Sequence, residues 1–374
     1  MRHLNFSFIL STVIFIFTLA LTVDAQVTPT PTPTPTPEEP ERVETEEIKI
    51  NVLAYDADRK FVEGVRVSDV VITENNILHQ ATSIRRIPAN IVIIMDTGGA
   101  LRQAKTLDTT RRTAAALVST LRPQDAIAIV QYSDQADVVS GLTTDRAATT
   151  AAINRTNFGL GSEFLAAIRL ASGLLTKPGI ENRHLVLITD GTDTTLSGSS
   201  RERSLRPLLE TDINVHVISY TRIEAIAAEP LTKKVSTKPE PATAEPIAMP
   251  REMAEQLPAG ARDFKTSPKV GPTISLDRKR ISVWKQRKAD LESAERQLAV
   301  LAENANGIAL IPQTTEEMID KAPLVAGVID DSYVLTYMPK IPLSEKRIDR
   351  NIVVTSKRPD LIIQGKRRLT FKKN

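Results

Sequence analysis

The chain has 374 residues, which at roughly 100–200 residues per domain points to two or three folded units. Hydrophobic residues make up 41% and charged residues 25%, so wholesale disorder is excluded, and a net charge of +3 is too small to argue for nucleic acid. The chain has no cysteine, four histidines and 4% aromatics, which excludes disulfides and zinc-thiolate sites and argues against a histidine-rich metal site or a broad base-stacking surface.

Residues 1–25 read as an export signal. Arg2 and His3 give a positive start, an apolar run spans Phe6 to Val23, and Val23-Asp24-Ala25 fits a small-x-small cleavage site before Gln26. Left uncleaved, the run would serve as a membrane anchor. The protein is thus expected to be exported: periplasmic, on the cell surface or secreted. Residues 26–47 read as a linker. Five Thr-Pro pairs from Thr28 to Pro37 favour extended polyproline II, and six glutamates follow between Glu38 and Glu47.

Residues 48–87 read as β structure. Ile48, Ile50 and Val52 alternate with polar residues, Asp56 to Lys60 form a turn, and Val70–Thr73 is a strand. Asn75-Asn76 suits a tight hairpin before a strand over Ile77–Ile84.

From about Ala89 the pattern changes. Ile91–Met95, Ala126–Val130, His184–Ile188, Ile213–Ser219 and Ile308–Ile311 are continuous apolar runs, as parallel strands buried on both faces require. Val138-Val139 is a short edge strand. Between the runs, Leu107, Ala114, Leu117, Val118 and Leu121 form a helical stripe. Asp145–Ile153 and Glu163–Leu175 are further helices, and in the second Phe164, Leu165, Ile168, Ala171 and Leu175 share a face. A long helix from about Lys285 to Ala305 carries Leu291, Ala294, Leu298 and Leu301 at 3-4-3 spacing, and Asn306-Gly307 ends it. Thr315–Val328 is a closing helix. Alternating strands and helices predict a doubly wound, mostly parallel α/β sheet, with ligands at the carboxyl ends of its strands.

Two carboxylates stand at such ends, Asp96 and Asp190. Ser162, in Gly159-Leu160-Gly161-Ser162-Glu163, is expected to cap the helix that follows. Two carboxylates and a hydroxyl on one rim suit a hard, oxygen-loving cation. The alternative is that Asp96 and Asp190 are turn residues. The phosphate-loop motifs, the Gly-x-Ser-x-Gly elbow and the His-Glu-x-x-His helix are all missing from the sequence, so no enzyme chemistry is expected. His184 and His216 read as packed strand residues.

In order and in these residues, 88–330 resembles a von Willebrand factor type A domain. The resemblance implies a metal-ion-dependent adhesion site: an Asp-x-Ser-x-Ser motif, a threonine and a second aspartate hold magnesium, whose open position takes a partner's carboxylate. Asp96 and Asp190 match the two aspartates and Ser162 stands for the threonine. Gly98 and Ala100 stand where the serines should be, so the site is degenerate, with no metal or only weakly bound Mg2+.

The C-terminal segment 331–374 carries strand candidates at Tyr333–Tyr337, Ile348–Thr355 and Leu361–Phe371. With residues 48–87 they make about six strands, so the α/β domain is read as inserted into a split, sandwich-like β domain. Val65–Gln80, Leu301–Gly307, Tyr333–Tyr337 and Lys357-Arg358-Pro359 together resemble an exported bacterial subgroup of the same family, of acidobacterial type. Residues 222–281, with eight prolines between Pro230 and Pro272, read as a disordered insertion. Lys366-Arg367-Arg368 and Lys372-Lys373 form a basic tail, which with the N-terminal anchor could associate with an envelope or membrane surface. The expected function is non-enzymatic binding of a protein partner, or adhesion, through the loops Asp96–Leu101, Asn157–Ser162 and Asp190–Leu196. The alternative is an envelope assembly protein that acts through the β domain and the insertion.

Overall fold

The computed structural model describes residues 47–193, 205, 207–236, 273–274, 277–342 and 349–370. The export signal, the linker up to residue 46, residues 237–272 of the insertion and Lys372-Lys373 lie outside the described residues. Among the described residues no helix is long and apolar enough to cross a membrane.

Among the described residues there are two large sheets and one two-stranded pair. The N-terminal segment gives β1 (Ile48–Tyr55), β2 (Val70–Glu74), β3 (Ile77–His79) and β4 (Ala81–Arg85). The α/β part gives β5 (Asn90–Asp96), α1 (Leu107–Thr120), β6 (Ala126–Tyr132), β7 (Ala136–Thr143), α2 (Arg146–Arg155), α3 (Phe164–Leu175), β8 (Arg183–Thr189) and β9 (Asn214–Ser219). It continues through α4 (Thr221–Ala228), the short pair β10 (Val235–Ser236) and β11 (Thr273–Ile274), α5 (Arg278–Asn304), β12 (Ala309–Leu310) and α6 (Thr315–Asp330). The chain ends with β13 (Ser332–Tyr337), β14 (Asp349–Ser356) and β15 (Ile362–Thr370).

The central sheet has the order β12-β9-β8-β5-β6-β7. Every neighbouring pair is parallel except β6–β7, so β7 is an antiparallel edge strand. Its apolar runs are buried on both faces. Ile91, Ile93, Ile127 and Ile129 pack with Ala114, Leu117 and Val118 of α1 and Met318, Val325 and Ile329 of α6. Val92, Ile94, Val130 and Leu187 pack on the other face with Phe164, Ile168 and Leu175 of α3 and Leu298 and Leu301 of α5. The doubly wound α/β fold read from the sequence is the fold observed.

The seven terminal strands form one antiparallel sheet, β3-β2-β14-β15-β1-β13-β4. It turns over on itself, so that Ile50, Val52, Ile72, Leu335, Tyr337, Ile352 and Val354 share one core. The corner lies where β15 leaves β14 for β1, at Gly365. A Cβ there would come within 2.5 Å of Val52 Cγ1, so only glycine lets the strands cross this closely. The expected single strand over Ile77–Ile84 is broken at Gln80. β3 extends one half of the sheet through β2, and β4 crosses to the other half and pairs with β13. Asn75 and Asn76, with φ of 49° and 65°, make the left-handed hairpin expected of them.

The described residues at the two ends of the insertion form regular structure. Thr221–Ala228 is helical and buries Ile223 and Glu224, and Ala228 and Leu231 pack against Trp284. Helix α5 starts seven residues before the expected Lys285, because Asp277 caps it by accepting from Lys279 N and Arg280 N.

A buried polar cluster joins the two sheets. Asn51 of β1 donates to Asn182 Oδ1 at 2.7 Å, and the same oxygen lies 2.8 Å from His184 Nε2. His184 Nδ1 lies 3.1 Å from His216 Nε2, with the rings stacked at 5.3 Å. Asn306, left-handed at φ 56°, donates to Asn51 O at 2.7 Å. His184 Nε2 also lies 3.1 Å from Asn51 Nδ2, so this ring nitrogen meets both an amide donor and an amide acceptor. Among the described residues, His216 Nδ1 is buried with no hydrogen-bond partner. Burial pushes the His216 imidazole down to about 4 from its ordinary 6.5.

The sign of the pH effect follows. Between pH 6.5 and about 4 the unfolded chain binds a proton at His216 that the folded chain does not, so stability falls as pH falls through that window. The expected loss is about 3 kcal/mol at its lower end, at roughly 1.4 kcal/mol per unit. Denaturant melts of the parent and His216→Leu between pH 7 and pH 4 check this, and the variant should lack that part of the slope.

Candidate functional site

The carboxyl ends of β5, β8 and β9 bring Asp96, Asp190 and Tyr220 together, as the sheet topology requires. Both aspartates are 2% exposed. Each closes a turn with its own backbone: Asp96 Oδ1 accepts from Gly98 N at 3.1 Å and Asp190 Oδ1 from Thr192 N at 2.8 Å. A buried carboxylate also needs a counter-charge, because an unpaired buried charge is strongly unfavourable. The chain supplies one for each.

At Asp190 the counter-charge is Arg287, from the third turn of α5. Its Nη2 donates to Asp190 Oδ2 at 2.6 Å and its Nη1 to Thr192 Oγ1 at 3.0 Å, while Thr192 Oγ1 donates to Asp190 Oδ1 at 2.6 Å. Burial pushes the Asp190 carboxyl up, but the guanidinium and the two Thr192 bonds outweigh it and hold the carboxyl below its ordinary value. At Asp96 the counter-charge is Lys105, fully buried with its ammonium 3.8 Å from Asp96 Oδ1. Lys105 Nζ donates to Asp96 O at 2.6 Å and lies 3.9 Å from the centre of the Tyr220 ring, and Tyr220 OH donates to Asp96 Oδ2. Burial pushes the Lys105 ammonium down to about 8, against the pull of Asp96. At neutral pH it remains charged.

A third buried carboxylate fixes the loop that carries Lys105. Glu224 of α4 accepts from Gln103 N at 2.7 Å, Ala104 N at 3.1 Å and Lys105 N at 2.8 Å. Burial raises its pKa against those three bonds. Residues 103–105 are therefore held rigidly beneath the rim.

Ser162 does not cap α3. The N-cap is Glu163, without a side-chain bond, and Ser162 Oγ donates instead to Thr192 O at 2.7 Å. The side chain serving the start of α3 is Asp193, whose Oδ2 accepts from Leu165 N at 3.0 Å. The Gly159–Ser162 loop bends onto Asp134, which accepts from Gly161 N at 2.6 Å, so Ser162 arrives facing the β8 turn rather than its own helix.

The type A family implies a divalent cation here, and the residues present do not fit one. Asp96 and Asp190 carry their own cations, and Ser162 is engaged with a carbonyl. At Gly98 a Cβ would lie 2.2 Å from Gly161 O and 2.8 Å from Ser133 Cα, so the missing serine has no room. At Gly98 the loops have closed over the space that a serine ligand would occupy. Lys105, Arg287, Tyr220 and Glu224 were not among the residues singled out from the sequence. Of these, Arg287 had a readable signal: it sits one turn before Leu291 on the buried stripe of α5.

Two outcomes check this geometry. Asp190→Ala leaves Arg287 buried without its partner and should cost about 3–5 kcal/mol. In Asp190→Ala/Arg287→Ala the combined loss should be smaller than the sum of the two single losses, as denaturant melts would measure. Gly98→Ser, which restores a ligand-type residue, should destabilise by about 1–3 kcal/mol through overpacking, not create a cation site.

Residues 91–192 match the family model of the von Willebrand factor type A domain. No curated protein matches the chain. Similar solved structures include an aerotolerance-related membrane protein from Bacteroides fragilis, 15% identical, covering 64% of this chain and 98% of that one at a TM-score of 0.39. A von Willebrand factor type A protein from Catenulispora acidiphila is 10% identical, covering 87% of this chain and 73% of that one at a TM-score of 0.42. These superpositions are loose, and the assignment rests on the matched segment, which runs from β5 to the turn after β8 and carries Asp96, Ser162 and Asp190. Residues 91–192 are thus a von Willebrand factor type A domain.

Proposed function

We propose that the protein is an exported, non-enzymatic module that binds a protein partner through the rim loops at residues 97–102, 157–162 and 190–193, without a metal ion. One observation carries the reading. The rim's two carboxylates are neutralised from within by Lys105 and Arg287, while Leu101 and Leu160 stand 38% and 47% exposed beside them. Ala100 N donates to Leu160 O at 2.9 Å, which ties the two loops into one surface. Exposed apolar residues on a rigid base are what a contact surface requires. Export rests on the apolar run Phe6–Val23 and its cleavage-type end.

A second reading has its own support. Thr232, Lys233, Lys234, Arg278, Ile281 and Lys285 line a basic cleft of about 710 Å3 where the insertion meets α5. An envelope assembly protein would use that face to hold an anionic surface.

Partner capture separates the two. Leu101→Glu/Leu160→Glu should reduce capture at least tenfold with an unchanged melting temperature, since both positions are exposed. Loss on Lys234→Glu/Arg278→Glu/Lys285→Glu, with the rim variant unaffected, would favour the assembly reading.

A further inference from the structure

The chain carries a net charge of only +3, yet one face away from the rim concentrates positive charge. From Arg278 to Ala289, at the start of α5, the sequence holds six cations and no carboxylate. Arg287 turns inward to Asp190, and Lys288 lies 3.6 Å from Glu292. Arg278, Lys279 and Lys285 are exposed and form no ion pair with any described residue. Lys234, just after the 3-10 turn Glu229–Thr232, is likewise exposed and without an ion pair among the described residues. Lys233 beside it is held by Glu229 at 2.9 Å.

Packing fixes these two basic elements against each other, because Ala228 and Leu231 bury Trp284 of α5. The cleft of about 710 Å3 between them has Lys233, Lys234, Arg278 and Lys285 around it, and Ile281, 8% exposed, among its lining. Arg278, Ile281, Ser282 and Lys285 share one stripe of the helix by their spacing. Like charges around one cleft repel, and cations in the first turn of a helix also oppose its dipole. The fold gains nothing from this arrangement, and an anionic ligand removes both costs.

Two features favour an extended anionic surface over a single small anion. A helix rises 1.5 Å per residue, so Arg278 and Lys285 stand about 10 Å apart along α5, and Lys234 faces them from the other element. One phosphate cannot meet all three. The face is also not wholly polar. Val235 and Val283, each next in sequence to a residue lining the cleft, are 60% and 49% exposed. A bilayer interface accepts cations and apolar side chains together.

We propose that this face, with Lys234, Arg278 and Lys285 around the cleft and Val235 and Val283 beside it, docks on an anionic phospholipid surface. This rests on the second reading above, the basic face, and is independent of the rim.

The test sediments the full chain with vesicles of phosphatidylcholine alone and of phosphatidylcholine with one-third phosphatidylglycerol. The apolar run Phe6–Val23 would serve both vesicles alike, so the difference between them reports the basic face. The parent should bind the anionic vesicles at least tenfold more tightly, and high salt should remove the difference. Each cation at an anionic bilayer contributes roughly fivefold in affinity, so Lys234→Gln/Arg278→Gln/Lys285→Gln should weaken binding about 100-fold at an unchanged melting temperature. Lys366→Gln/Arg367→Gln/Arg368→Gln, which neutralises the basic tail, should leave binding unchanged. Trp284 is the chain's single tryptophan, so a nitroxide-labelled headgroup should quench the fluorescence of the parent and not of the cleft variant. Equal binding of the parent to both vesicles would overturn the lipid surface. If Lys234→Glu/Arg278→Glu/Lys285→Glu still cost partner capture, the basic face would then stand as a protein contact; if it did not, the second reading would fall as well. Anionic binding that survives the cleft variant would overturn the proposal. So would displacement by inorganic phosphate beyond that by chloride at equal ionic strength, which would assign the cleft to a small free anion.

Discussion

Two buried carboxylates at the end of a parallel sheet require positive charge within a few ångströms, and the way it is supplied governs the rest of the rim. Asp96 and Asp190 are both 2% exposed, where solvent cannot stabilise their ionised forms. Lys105 and Arg287 meet that demand from different directions. Lys105 reaches in from the loop after β5, and Arg287 reaches across from α5. With the cations built into the chain, the loops close tightly, Gly98 packs against Gly161, and Ser162 turns to the β8 loop. The rim is left with Leu101 and Leu160 as exposed apolar residues.

The opposite end of the sheet carries the second polar commitment. Asn51, Asn182, His184, His216 and Asn306 join β1 to the amino ends of β8 and β9 through buried hydrogen bonds. Each bond is modest, but leaving one partner unmade inside the protein is unfavourable by about 1–3 kcal/mol. Such a cluster fixes the register between the two sheets, where apolar contact alone would let them slide. These bonds tie the α/β unit to the sheet formed by the first four and last three strands.

The fold was legible because its signals are local. Ile91–Met95 and His184–Ile188 are uninterrupted apolar runs, and the stripes of α1, α3 and α5 repeat at helical spacing. The site was legible only at Asp96 and Asp190, which follow strands. Their partners lie 124 and 97 residues away, at Tyr220 and Arg287, beyond any pattern of spacing. Arg287 could have been found as a charged residue on an otherwise apolar helical stripe. Lys105 could not, because nothing near it in the sequence shows that its loop is buried. Helix α4 was masked by the prolines that follow it, and the break at Gln80 by the apolar residues on both sides of it. In both cases tertiary pairing decided what composition could not.

The central claim is that Lys105 and Arg287 stand where a metal ion would otherwise be needed. It is tested most directly by thermal unfolding of the full chain in excess magnesium, in excess manganese and in EDTA. A cation bound only to the folded state at a hundred times its dissociation constant would stabilise it by about 2.7 kcal/mol. The account predicts the same melting temperature in all three conditions. A rise with magnesium or manganese that EDTA reverses and Asp190→Ala removes would contradict it.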